Sequence, residues 1–306
     1  MKPMKRSVYL LTAIVTGLIV TGIATVGASS CLAANRSAPA AAQSAPVWGD
    51  DYYTAYRDAA DSGRMLLVFL TPTGDSTRAE AIDNAVAARP RMGERLNDFV
   101  LCRLPLDATL DSEGQPQRLI DSAAFRELHG GAGVVIIDLE NKDAPFYGHA
   151  VTALPLTGGK YYRWSIDGLA AALDLPAGTL SQRSLVWAVR THPEAPQSTG
   201  GEFHPALVEG ARAHAAYQAR LRQQGHQNFS SRFQRLRGQV GMGSVKEVCA
   251  ESWPNQTLID SVVDCVASWR QSSGHWNGVR APHRSYGYDI KLGGDGVWYA
   301  TGLFAD

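Results

Sequence analysis

The chain has 306 residues, 29 basic and 29 acidic side chains, and 45% apolar residues. A chain of that length buries about two modest cores, so two domains are expected. With zero formal net charge and no long basic run beyond the N-terminus, it lacks the electrostatic footprint of a nucleic-acid binder, and nucleic acid is set aside as a partner.

Lys2, Lys5 and Arg6 precede a nearly unbroken apolar run from Val8 to Val26 and then the small residues Gly27 to Ser30. Residues 1–34 therefore read as an export signal, with cleavage expected near Ala28–Ser30 or Leu32–Ala34, or as an uncleaved anchor, since the apolar run approaches the length that spans a bilayer. Cys31 weakly resembles a lipoprotein acceptor but lacks the leucine usual three residues before it. Residues 35–46, rich in Ala, Ser and Pro, bury too little to order themselves and read as a flexible linker, which would make the N-terminus a membrane tether if it is kept. Export places Cys102, Cys249 and Cys265 in an oxidising compartment. Cys249 and Cys265, each in an expected helix, form the candidate disulfide; two buried thiols are the alternative.

The first folded part, residues 47–178, opens near Trp48 with a helix over 52–62. Met65-Leu-Leu-Val-Phe-Leu70 follows as a buried strand bounded by Pro72 and Gly74. Helices are expected over 76–88 and 92–98, then a strand over 99–104, a helix over 122–128 and a buried strand over 134–138. Alternating strands and helices predict an α/β layer fold. The order resembles the thioredoxin-like superfamily, but Thr73-Gly-Asp-Ser-Thr-Arg78 stands where that family carries Cys-x-x-Cys, and Gly130-Gly-Ala-Gly133 stands where its proline is expected. Thiol exchange needs a thiolate, so the resemblance implies no redox activity. Cys102 reads as a buried structural thiol, and the glycine run as a turn, because it lacks the spacing of a phosphate loop.

The second part, 179–306, begins with a helix over 180–191 capped by Thr179 or Ser181. A helix over 205–224 has Leu207, Ala211, Ala215 and Ala219 on one face, and His226 falls just past its end. Residues 247–253 read as a helix in which Glu247 and Glu251 share a face one turn apart. Another helix spans 258–269 with Val262, Val266 and Trp269 inward, and a hairpin is expected around Gly293-Gly-Asp-Gly296.

Taken in order, His226, Arg232, Glu247, Trp269-x-x-Ser-x-x-His275 and Trp298-Tyr-x-Thr-x-x-Phe304 resemble the CAP superfamily of cysteine-rich secretory proteins, antigen 5 and pathogenesis-related 1. The resemblance implies an α/β/α sandwich over 179–306. It also implies a cleft in which His226, His275 and Glu247 face one another and in which some members bind a divalent metal; imidazole and carboxylate suit zinc. The second glutamate of the pattern is absent, with Arg270, Gln271 or Ser272 in its place as in many bacterial members, and Glu251 is the candidate substitute. Two readings follow. The first is an exported, non-catalytic binding protein whose cleft takes a metal or a small-molecule, lipid or peptide ligand, with the thioredoxin-like part as scaffold. The second is a metal-dependent hydrolase with Glu247 as general base. His192, His204, His214 and His283 match no position of the pattern and are expected at the surface.

Overall fold

The computed structural model describes residues 46–306 apart from Glu113 and Met242. The segment read as an export signal, Cys31 and the expected linker up to residue 45 lie outside the described residues. The described chain belongs to one compact unit, Gln43–Asp306, a mixed α/β protein with two four-stranded mixed sheets and one small hairpin.

The first half runs α1 (Tyr52–Ser62), β1 (Met65–Thr71), α2 (Thr77–Ala88), α3 (Pro90–Leu96), β2 (Phe99–Pro105), a hairpin of β3 (Thr109–Ser112) and β4 (Gln115–Arg118), β5 (Gly133–Ile137), β6 (Ala150–Pro155) and α4 (Ile166–Leu173). The second half runs α5 (Leu180–Arg190), β7 (Glu202–Phe203), α6 (Pro205–Leu221), α7 (Phe229–Val240), β8 (Val245–Glu251), α8 (Leu258–Gln271), α9 (Ser273–Arg280), β9 (Ser285–Leu292) and β10 (Trp298–Ala305).

The first sheet has the order β2-β1-β5-β6: β1 is parallel to β2 and antiparallel to β5, and β6 closes a hairpin with β5. Side chains alternate across a strand, so the unbroken apolar run of β1 implies cover on both faces. Leu67, Phe69, Val134 and Ile136 indeed pack under α2, α3, α4 and α5, and Leu66, Val68, Leu70 and Val135 pack against α1 and the 3-10 segment Ala123–Leu128. Thr73–Ser76 lie in the loop between β1 and α2, and His129 and Gly130 make the expected turn with left-handed backbone before β5.

The second sheet has the order β7-β9-β10-β8. One face carries Val248, Ala250, Tyr286, Tyr288, Ile290 and Phe304 against α5, α8 and α9; Val245, Leu303 and Ala305 lie on the other, against α6 and α7. The small residues of α6 let it cross β9 closely: a Cβ on Gly287 would stand 2.3 Å from the Leu207 carbonyl carbon.

Thr179 caps α5 through a reciprocal capping box with Gln182. Residues 182–189 of that helix are all buried, as expected of a helix enclosed on every side. It packs on β6, α8 and β9, so one apolar cluster runs from the first sheet through α5 into the second. The division anticipated at residue 178 thus falls at the start of the helix that joins the two sheets.

Two sequence expectations are corrected here. Residues 245–251 form strand β8, not a helix: Val245, Val248 and Ala250 are buried against apolar neighbours on either side of the sheet, and the strand pairs antiparallel with β10. Glu247 and Glu251 therefore stand about 13 Å apart along the strand instead of one helical turn. The Cys249–Cys265 disulfide is not formed, since Cys102, Cys249 and Cys265 are all free and buried thiols. The cause is strand alternation. Val248 and Ala250 face α8, which carries Cys265, while Cys249 points to the opposite face with Glu247.

Candidate histidine and glutamate site

The site forms where α6, α7, β8 and α9 meet. The chain leaves α6 through Arg222, whose backbone is left-handed, and turns back at Gly225. Two buried side chains of α6 hold that turn: Gln218 Oε1 accepts from the Gly225 N–H at 3.0 Å, and His214 Nε2 lies 2.8 Å from the Gly225 carbonyl oxygen. Gln218 is itself fixed by donating to Thr301 Oγ1 on β10 at 2.9 Å. His226, the next residue, is placed by contacts made one residue earlier.

β8 delivers Glu247 beneath it. The Glu247 side chain is 1% exposed, and a buried carboxylate requires a partner. Arg232 of α7 provides a two-pronged one, with Nε donating to Oε2 at 2.5 Å and Nη2 to Oε1 at 2.7 Å. The third Arg232 nitrogen donates to the Gln227 carbonyl at 3.1 Å, tying α7 to the turn that carries His226. His226 Nδ1 completes the carboxylate shell, 3.0 Å from Oε1.

These contacts orient the His226 ring. A carboxylate only accepts, so His226 donates to it from Nδ1 and points Nε2 outward. Nε2 of His275, in the first turn of α9, lies 3.2 Å away. Burial works to raise the Glu247 carboxyl, but the hydrogen bonds from His226 and Arg232 outweigh it, and its pKa ends below the ordinary value. Burial, with the neighbouring His226, lowers the pKa of His275. His214 is also lowered, by burial above all. Burial raises the Cys249 thiol far above its usual range, and Glu247 adds to the effect.

The structure thus brings His226, His275 and Glu247 together as a chain rather than a ring. Glu247 orients His226 through Nδ1, and the two Nε2 atoms meet on the far side. Glu251, the candidate substitute for the absent glutamate, is exposed at the end of β8 and takes no part. His214, expected at the surface, is buried beside the cluster, with Nε2 3.7 Å from Glu247 Oε1. It shares the inward stripe of Leu207, Ala211, Ala215 and Gln218, which was the signal for its burial. His283 is buried too: Nε2 lies 2.8 Å from the Gly278 carbonyl, Nδ1 3.0 Å from the Asp306 carboxylate, and the ring stacks on Phe304. His192 and His204 are half-buried.

His214, Glu247 and Cys249 place a nitrogen, a carboxylate oxygen and a sulfur within 4.8 Å of one another, a buried grouping that could hold a metal ion. Most of its donor atoms are already engaged, the exception being His214 Nδ1, which is buried with no hydrogen-bond partner among the described residues. His214 Nε2 faces a carbonyl and so carries its proton, Arg232 occupies both Glu247 oxygens, and the Cys249 sulfur is a protonated thiol 3.7 Å from His226 Nδ1. Elsewhere, Cys102 on β2 is buried opposite Val68 with its thiol pushed up to about 12 by burial. Among the described residues no helix is long and apolar enough to cross a membrane. Compared with protein-family models and with curated proteins, the chain matches none.

Proposed function

We propose that this chain is an exported binding protein in which a thioredoxin-like part without redox chemistry supports a CAP-like part. The cleft of the CAP-like part holds a divalent cation such as zinc on Nε2 of His226 and Nε2 of His275. The strand order β2-β1-β5-β6, parallel then antiparallel, supports the first resemblance, and the order of α6, β8, α8, β9 and β10 around the histidines supports the second. The N-terminal sequence supports export.

The observation that carries the reading is the 3.2 Å between the two Nε2 atoms. Two imidazole ligands about 2.0–2.1 Å from one tetrahedral ion stand about 3.4 Å apart, so the pair needs little rearrangement to share a cation. Glu247 supplies the carboxylate that metal-binding histidines commonly require on their other nitrogen, fixing the tautomer and raising ligand basicity. The remaining positions of the ion are then open to water or to a small-molecule, lipid or peptide ligand. The hydrolase alternative has less support, because a general base needs a reachable carboxylate and that of Glu247 is buried and doubly held by Arg232.

Cobalt(II), a coloured stand-in for zinc, tests the site. The protein without its N-terminal segment is expected to take up one equivalent and develop visible d–d absorption. His226→Ala and His275→Ala should each abolish that absorption, and Cys249→Ser should leave it unchanged. Uptake that survives His275→Ala but is lost in Cys249→Ser would put the ion in the His214, Glu247 and Cys249 group and refute the assignment.

A further inference from the structure

His226 is fixed from several directions, whereas among the described residues His275 hydrogen-bonds one side chain, His226 itself. Its position therefore depends on α9, an eight-residue helix joined to α8 through Ser272; α9 packs on α8 and β8 with Trp276 and Val279 in the core, and is further tied by the segment 191–201 that leaves α5. Near the start of α9, Glu194 Oε2 accepts from the indole N–H of Trp276 at 2.9 Å, and its other oxygen pairs with Arg270 at the end of α8. The Trp276 ring is flanked by His192 at 4.7 Å and by the Arg270 guanidinium at 5.7 Å. At the end of α9, the backbone N–H groups of Gln197 and Ser198 donate to the carbonyls of Arg280 and Val279 at 3.1 and 3.2 Å. The segment is anchored in turn, with the Ser198 hydroxyl 2.8 Å from the Tyr288 hydroxyl on β9 and Arg190 bonded to Thr199.

One residue of this strap is strained. Ala195 has φ +45°, the left-handed region that a side chain with a Cβ avoids, and it immediately follows the glutamate that reaches Trp276. The strain is held by the contacts on either side of it. Trp276 is the residue after His275, so whatever fixes the indole fixes the helical turn from which the imidazole projects.

The geometry points to Glu194 as a positioning residue for the histidine cleft: by gripping Trp276 it holds His275 Nε2 within reach of His226 Nε2. This rests on the cation-binding reading for its purpose but not for its geometry. Glu194 touches neither imidazole, and its role is exerted through the indole N–H. It also gives a role to Arg270, one of the three residues (Arg270, Gln271 or Ser272) at the place of the absent CAP glutamate, which here binds a glutamate brought from another segment.

Two variants and two readouts test it. Glu194→Ala removes the acceptor, and Glu194→Gln keeps a carbonyl oxygen for the indole. In metal-free protein, long-range imidazole 1H–15N spectra should show the His226–His275 bond in the wild type and in Glu194→Gln and its loss in Glu194→Ala, with α-helical content unchanged throughout. Cobalt(II) affinity should fall in Glu194→Ala alone, by no more than about tenfold, the low end of the range for losing a partner bonded directly to a metal ligand. Unchanged imidazole signals in Glu194→Ala would overturn the assignment, and so would equal damage from both variants. If the wild type takes no cobalt while Glu194→Ala still displaces His275, the positioning role stands and the cation reading falls.

Discussion

The two sheets have the same size and a similar mixed character, yet they spend their buried surface differently. The sheet β2-β1-β5-β6 is apolar on both faces at its centre, and its cysteine, Cys102, is a protonated thiol packed among Ala59, Leu66, Val68 and their neighbours. The sheet β7-β9-β10-β8 is apolar toward α5, α8 and α9 but buries Glu247, Arg232, His214 and Gln218 on its α6 side. An apolar face stabilises whatever partner shape fills it, whereas buried charge is tolerated only with specific partners. The contrast teaches that the second sheet buries a paired carboxylate on a framework of the kind that the first fills with apolar side chains.

That contrast breaks most directly at Arg232. Arg232→Met leaves the Glu247 carboxylate buried without its fork and should lower unfolding free energy in urea by about 3–5 kcal/mol. The double variant Arg232→Met/Glu247→Gln should recover much of the loss, because the uncompensated charge goes with it. A loss below about 1 kcal/mol for the single variant would mean that the pair is not desolvated in solution.

Acid should act on the second sheet first. The Glu247 pKa in the folded chain lies below its unfolded value, so the unfolded state binds more protons as the pH falls. The contribution is complete above the unfolded carboxylate pKa, about 4.3, and is lost as the pH drops toward the lower folded value. Glu247→Gln should flatten stability against pH in that window. A wild-type profile as flat as that of the variant would show that other carboxylates dominate.

The smallest effect belongs to the first sheet. Cys102→Ala should cost about 1 kcal/mol, the price of a small buried group, and change neither cobalt uptake nor stability against pH. In native protein at pH 8 the Cys102 thiol should resist Ellman's reagent, since burial raises its pKa to about 12, and the protein should not reduce insulin. Rapid labelling of Cys102 would place it at an accessible edge and weaken the contrast between the sheets.

Much of the fold was legible in the chain. The strands at 65–71, 99–105 and 133–137 show as apolar runs, α1 shows by its face of small and aromatic residues, α5 by its cap, and the hairpin β9–β10 by its glycine turn. β8 was misread because Glu-Val-Cys-Ala-Glu suits a helix as well as a strand, and only pairing with β10 decides between them. The addresses of His226, Glu247 and His275 came from the order of motifs. Their division of labour did not: Arg232 stands in the motif order and His214 on the inward stripe of α6, but that both reach Glu247 is set by the packing of α7 and α6 against β8. The sequence by itself determined the local periodicities, the absence of a redox thiol pair and the candidate histidines, all set by residue type within a few positions. The tertiary structure alone decided which face of β8 carries Glu247 and Cys249, that Glu247 orients His226, and that Glu194 reaches Trp276 across 82 residues, since each depends on the packing of distant elements.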